Sequence, residues 1–244
     1  VKGGDSLKMI KLEVWGDFAV FTRPETKVER FSYPVMTPSA ARGILDAIYS
    51  KPVEFGWRVD CIEVLNPISF IPLRRNEVKE KISVRQAVGA ANGGEPPLIL
   101  ADATSDITGG DTKGRTQRQT MALKNVRYRI HARIQPRRGF EAKQAAFEDQ
   151  ALRRIENGKC FYQPFMGCRE FVAYFEPAGD LPAINTNLDI GYMLYDVFDL
   201  DQVVIGYAKP FVSLFRAKLE NGVLHVPDWN SSQVRKPPKQ PERR

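Results

Sequence analysis

Apolar and polar positions alternate from Met9 onward: Ile10, Leu12 and Val14 recur at every second residue of IKLEVW, the period of a strand with one buried face. Thr37-Pro38 then offers an N-cap and a proline at the first helical position, and Ile44, Leu45, Ile48 and Tyr49 follow at helical spacing until Lys51-Pro52. A helix is predicted over 38–50. Trp57 to Phe70 reads as the next strand, with Asn66-Pro67 placed to bend or end it. From Ile71 to Gly114 the pattern weakens into charged, Gly-rich and Pro-rich stretches, and only Pro97 to Ala101 is strand-like.

The clearest alternation comes next. Val126, Tyr128, Ile130, Ala132 and Ile134 interleave with Arg127, Arg129, His131 and Arg133, so one face of the strand is apolar and the other cationic. Phe140 to Asn157 carries Phe147, Ala151 and Ile155 at four-residue steps and ends at Gly158, which predicts a second helix. Phe171, Ala173 and Phe175 alternate once more before Pro177-Ala178-Gly179 breaks the chain.

Strand, helix, strand, insertion, strand, helix, strand is the split βαβ order of an α+β, ferredoxin-like (RNA-recognition-motif-like) domain. That domain is expected over 9–177, with an insertion at about 71–114. Further strands at Ile190–Phe198, Gln202–Tyr207 and Val212–Leu219, then the Asn221-Gly222 turn into Val223–Val226, predict a small antiparallel β-rich domain over 178–230. The Pro-rich, basic tail from Ser231 to Arg244 is expected to be disordered, and residues 1–8 are set aside from the fold.

The formal charge of +7 matters chiefly through its distribution: nine Lys or Arg and no acid lie between Lys113 and Arg138. Such a block suits a polyanion. Along the Arg127 to Arg133 face the side chains would stand about 7 Å apart, suited to the phosphates of an extended nucleic-acid strand. A strand whose arginines pair with acids on its neighbours is the competing reading. The aromatic signature of a base-stacking RNA-recognition motif is missing. Three cysteines without CxxC spacing suggest neither a disulfide framework nor zinc, and a reducing cytoplasm fits. No apolar run approaches the roughly 18 residues of a membrane span. Gly93-Gly94 and Gly109-Gly110 lack nucleotide-loop context, so no nucleotide site is expected there, and no metal or cofactor is expected.

Four blocks carry a family resemblance: VWGDFAVFTRPETKVERFSYPVMTPSAARGILDAIYSKP (Val14 to Pro52), RRNEV (Arg74 to Val78), QRQTMALKNVRYRIHA (Gln117 to Ala132) and GKCFYQPFMGCREFVAYFEP (Gly158 to Pro177). They resemble, in order, the hallmark segments of the fifth family of CRISPR-associated proteins, subtype I-C. The resemblance implies binding of a CRISPR repeat RNA stem-loop and metal-independent cutting of the precursor transcript. It also implies retention of the product among other surveillance-complex subunits.

The family's tyrosine late in the first helix matches Tyr49, which also suits a buried ring extending the stripe of Ile44, Leu45 and Ile48. The family's Lys-His pair near the second helix matches Lys143 and Gln144, an amide standing where imidazole is implied, whereas a gap-free alignment places Ala146 and Phe147 there. Expected RNA contacts are Arg42, Arg115, Arg118, Arg127, Arg129, His131, Arg133 and Arg169, the last beside Gly167, which would allow close backbone approach. A non-cleaving subunit that clasps the 5′ handle, and a duplex-DNA binder acting through the basic surface, are the alternatives.

Overall fold

The computed structural model describes residues 8–26, 29–79, 81–96, 98–99, 114–202 and 210–238. It is a mixed α/β structure dominated by an antiparallel sheet. Two compact units are present, Val1–Ile71 with Met121–Arg244, and Pro72–Thr120.

β1 (Ile10–Ala19) is followed by the short β2 (Arg30–Phe31) and α1 (Pro38–Ile48). The α1 start is the expected one, with the Thr37 side chain accepting from the Ala40 N–H at 3.2 Å. β3 (Phe55–Val64) ends before Asn66-Pro67, where a proline without N–H cannot continue the ladder, and the chain restarts as β4 (Phe70–Val78). A short helix, α2 (Val84–Ala91), comes next, and then the 22-residue β5 (Arg115–Pro136), which contains the alternating segment. A 3₁₀ turn (Glu141–Lys143) leads into α3 (Gln144–Glu156). β6 (Tyr174–Pro177), β7 (Leu188–Asp196), β8 (Ser213–Glu220), β9 (Val223–His225) and β10 (Val234–Arg235) complete the described chain.

The strands lie in the order β10-β8-β9-β3-β5-β1-β6, with β7 paired to β8. β5 is antiparallel to both β1 and β3, and the register sets Leu12, Ile130 and Ile62 in one cross-strand row. These residues are wholly buried, as are Ile10, Ala132 and Ile134. Ala41, Ile44, Leu45 and Ile48 of α1 and Phe147, Ala151 and Ile155 of α3 join them in one core. That core follows directly from the two periodicities in the sequence.

Strands β7 to β9 continue this same sheet through the β9–β3 pairing. The hairpin at Asn221-Gly222 takes the positive φ values, 48° and 78°, that the dipeptide suggested. Two segments add elements to the expected order. Within the tail, β10 pairs with β8, because Val234 finds a buried site and the Lys236 ammonium sits 3.9 Å from the centre of the Trp229 ring. Within the insertion, the smaller unit holds the outer part of β4 paired to β5, and α2, whose N-terminus is closed by a reciprocal Ser83–Gln86 capping box. Of Pro97–Ala101 only residues 98–99 are described, and most of Gln202–Tyr207 likewise lies outside the described residues.

Gly167 has φ +82°, and a Cβ there would stand 2.0 Å from the Val20 carbonyl oxygen; Gly158, at φ +61°, has open space around it. Gly158→Ala is therefore expected to cost about 1 kcal/mol, the left-handed backbone penalty alone. Gly167→Ala should cost about 3 kcal/mol or more, because the β1 end and the 164–172 loop must separate. Equal melting temperatures for the two variants would contradict this.

Candidate functional site

The second face of β5 is where the cationic side chains lie, and the register determines their partners. Glu13 of β1 and Glu63 of β3 stand directly across from Arg129, and Trp15 stands across from Arg127. Glu13 is 0% exposed. Its Oε1 accepts from Arg129 Nη2 at 2.7 Å and from the Gly179 N–H at 2.9 Å, while Oε2 accepts from Arg127 Nε at 2.8 Å. Arg129 also donates to Glu63 at 2.6 Å and to the carbonyls of Gly179 and Leu181 at 2.6 and 2.9 Å. Arg127 reaches Glu176 as well, and its guanidinium lies 5.0 Å from the centre of the Trp15 ring. Arg133 Nε spans both Asp60 oxygens at 3.0 and 2.8 Å.

Burial pushes the Glu13 carboxyl up, but the Arg129 and Arg127 guanidiniums and the Gly179 N–H outweigh it and hold it below the usual glutamate value. His131 is 9% exposed, with Nε2 2.7 Å from Glu63 Oε1 but outside hydrogen-bond geometry. Burial pushes its imidazole down, against the pull of Glu63. The four residues expected to line a phosphate ladder, Arg127, Arg129, His131 and Arg133, thus each stand beside an acid, Glu13, Glu63, Glu176 or Asp60. Arg42, also expected at the RNA, is likewise paired with acids. It is buried, with Nε and Nη2 on the two Asp196 oxygens at 2.6 and 3.1 Å and Nη1 on Asp46. Arg118 lies 3.4 Å from Glu77, whereas Arg115 and Arg169 are exposed.

At the C-terminal end of α1, Tyr49 caps the helix through a backbone N–H donated to the Leu45 carbonyl. Its ring is 5% exposed and packs on Phe55 at 5.2 Å between centres, so the buried-ring reading describes its packing. Burial pushes the phenol up, with Lys51 pulling it down and Glu54 adding to the rise. Lys51 Nζ binds Glu54 Oε1 at 3.1 Å, and Lys143 Nζ lies 3.6 Å from Glu54 Oε2. Glu54 therefore joins Lys143 to the turn that follows Tyr49. Gln144 is not part of this group: its Nε2 donates to the Ile134 carbonyl at 3.0 Å and to Glu148.

Sequence reasoning missed Lys51 and Glu54, although their position two and five residues after Tyr49 was a usable signal. Asp196, 154 residues from Arg42, left none. Among the described residues, no cluster of His, Cys, Asp and Glu is placed to hold a metal, and no helix is long and apolar enough to cross a membrane.

A family model described as CRISPR-associated protein (Cas_Cas5) matches residues 9–227. The chain belongs to this Cas5 family. Two proteins named CRISPR pre-crRNA endoribonuclease Cas5d are similar to it. That of Mannheimia succiniciproducens is 40% identical over 237 residues, 93% of this chain and 98% of the relative. That of Thermus thermophilus is 37% identical over 233 residues, 89% of this chain and 91% of the relative. A solved structure described as a CRISPR-associated protein superposes with TM-score 0.60 at 20% identity, covering 94% of this chain and 97% of that one, a likeness of fold. The four sequence blocks implied this Cas5 assignment.

Glu13→Gln removes one charge from between two arginines and is expected to cost about 3 kcal/mol at neutral pH. Because the folded value of Glu13 lies below its ordinary 4.5, its contribution is complete above that value and is lost as pH falls through the folded one. The wild type should therefore lose stability more steeply than the variant on acidification in that range, as read from urea midpoints.

Proposed function

We propose that the chain binds CRISPR repeat RNA, cuts the precursor transcript at the 3′ side of the repeat stem-loop, and stays with the product beside other subunits of a surveillance complex in the cytoplasm. The observation that carries this reading is 40% identity, over nearly the full length of both chains, with a protein named for that activity. A ferredoxin-like body over 9–177 with a β-rich part over 178–230 goes with it. The sheet order β3-β5-β1-β6, with a helix after β1 and another after β5, supports that finer reading.

The proposed chemistry is metal-independent transesterification. The 2′-oxygen forms a bond to the adjacent phosphorus, the bond from phosphorus to the 5′-oxygen breaks, and the products end in a cyclic phosphate and a 5′-hydroxyl. Lys143 and Lys51 supply positive charge for the phosphorane, and the Tyr49 phenol, kept protonated by its burial, suits donation to the departing oxygen. Gln144 cannot exchange a proton near neutrality, and its amide is engaged with Ile134 and Glu148. The 2′ proton then passes to water, and the rate rests on in-line orientation and charge. The same amide is what favours the second reading, a subunit that holds the 5′ handle without cutting.

Incubation with cognate repeat RNA in EDTA is expected to give 5′-hydroxyl products. Tyr49→Phe, which keeps the ring against Phe55, should slow single-turnover cleavage by about 10² or more while affinity and melting temperature stay near wild type. Intact RNA that remains tightly bound would select the second reading.

A further inference from the structure

Three guanidiniums converge where β3 and the end of β5 meet the segment after β7. Arg58 of β3 and Arg137 and Arg138, just past β5, line one cavity of about 280 Å³ with Gln135, Leu200 and Asp201. Unlike Arg42, Arg127, Arg129 and Arg133, they are not neutralised by bonded carboxylates among the described residues. Arg58 Nε donates to the Gln135 amide oxygen at 2.7 Å and Nη2 to the Leu200 carbonyl at 3.4 Å. Arg137 Nε donates to the Pro52 carbonyl at 2.8 Å and Nη2 to the Gln202 carbonyl at 3.0 Å. Neutral acceptors orient these forks without cancelling their charge, and the Arg138 side chain is exposed without a hydrogen bond or ion pair among the described residues.

Like charges gathered at one cavity repel, so the arrangement is favourable when an anion joins them. The forked donors of arginine match the paired oxygens of a phosphate. Asp201 is the one carboxylate among these lining residues, and with Asp228 also attracting Arg58 the three guanidiniums remain in excess. The position is also informative. Arg137 holds the Pro52 carbonyl, and its own N–H donates to the Glu54 carbonyl at 2.8 Å, so the cavity adjoins the turn that carries Lys51 and Glu54. We infer that this cavity receives a backbone phosphate of the bound RNA, on the stretch of strand that continues past the Tyr49–Lys143 group. The inference rests on the RNA-processing reading above and adds to it a contact that the cationic face of β5 does not provide.

Binding of labelled cognate repeat RNA to the full chain, followed by fluorescence anisotropy across a salt series, tests it. Arg138→Ala, which gives up no internal contact, should weaken binding several-fold at about 0.15 M salt and flatten the slope of log affinity against log salt by about 0.7 to 0.9. Arg137→Ala with Arg138→Ala should do so further. Asp201→Asn should tighten binding, a gain that misfolding cannot imitate. Affinities and slopes equal to wild type in Arg138→Ala and Asp201→Asn would overturn the phosphate site while leaving the RNA reading intact. A wild-type chain that binds no repeat RNA would overturn both.

Discussion

A carboxylate with no access to water, Glu13, must be matched by cations, and the sheet is built so that it is. Unpaired, a buried charge costs several kcal/mol, which is a large part of a domain's net stability. The antiparallel register answers this by placing Arg129 directly opposite, with Glu63 on its other flank and Arg127 two residues along β5. A slip of one residue between β1 and β5 would turn Glu13 toward the apolar core and Leu12 toward the arginines. The same Arg129 guanidinium holds the Gly179 and Leu181 carbonyls, fixing the chain as it leaves β6.

This arrangement changes what the basic block can do. On the second face of β5 the charge of Arg127, Arg129 and Arg133 is met by Glu13, Glu63, Glu176 and Asp60, whereas Arg115, Lys124 and Arg138 of the same block are exposed. Lys51, Lys143 and Arg137 meet at the turn after α1, and Arg137 also lines one cavity with Arg58 and Arg138. Tyr49 sits at the junction, with its ring in the core beside Phe55 and its chain continuing into that turn. The packing that positions the phenol also raises its affinity for a proton, so structural and chemical roles are compatible in one residue.

Arg42 illustrates a second such commitment. Its fork on Asp196 ties α1 to the end of β7, and Asp196 Oδ1 in turn accepts the N–H groups of Val197 and Phe198 at 2.8 and 3.0 Å. A helix in the first quarter of the chain and a strand in the last quarter are held together by a fully engaged carboxylate, which aligns the two walls of the core.

Elements with strong periodicity were legible from residues only a few places apart. Both core helices, the apolar faces of β1 and β5, the Thr37 cap and the Asn221-Gly222 hairpin follow from steric and burial rules of that short range. Four local blocks were also enough to indicate the family. The acid partners of Arg127, Arg129, Arg133 and Arg42 were visible only in three dimensions, because Glu13, Asp60, Glu63 and Asp196 come from other strands through a register that no local pattern encodes. The fold likewise separates Lys143 from Gln144, adjacent in the chain: the helix start turns one toward Glu54 and the other toward Ile134. Charge is visible in a sequence, but its neutralisation depends on distances between segments far apart along the chain.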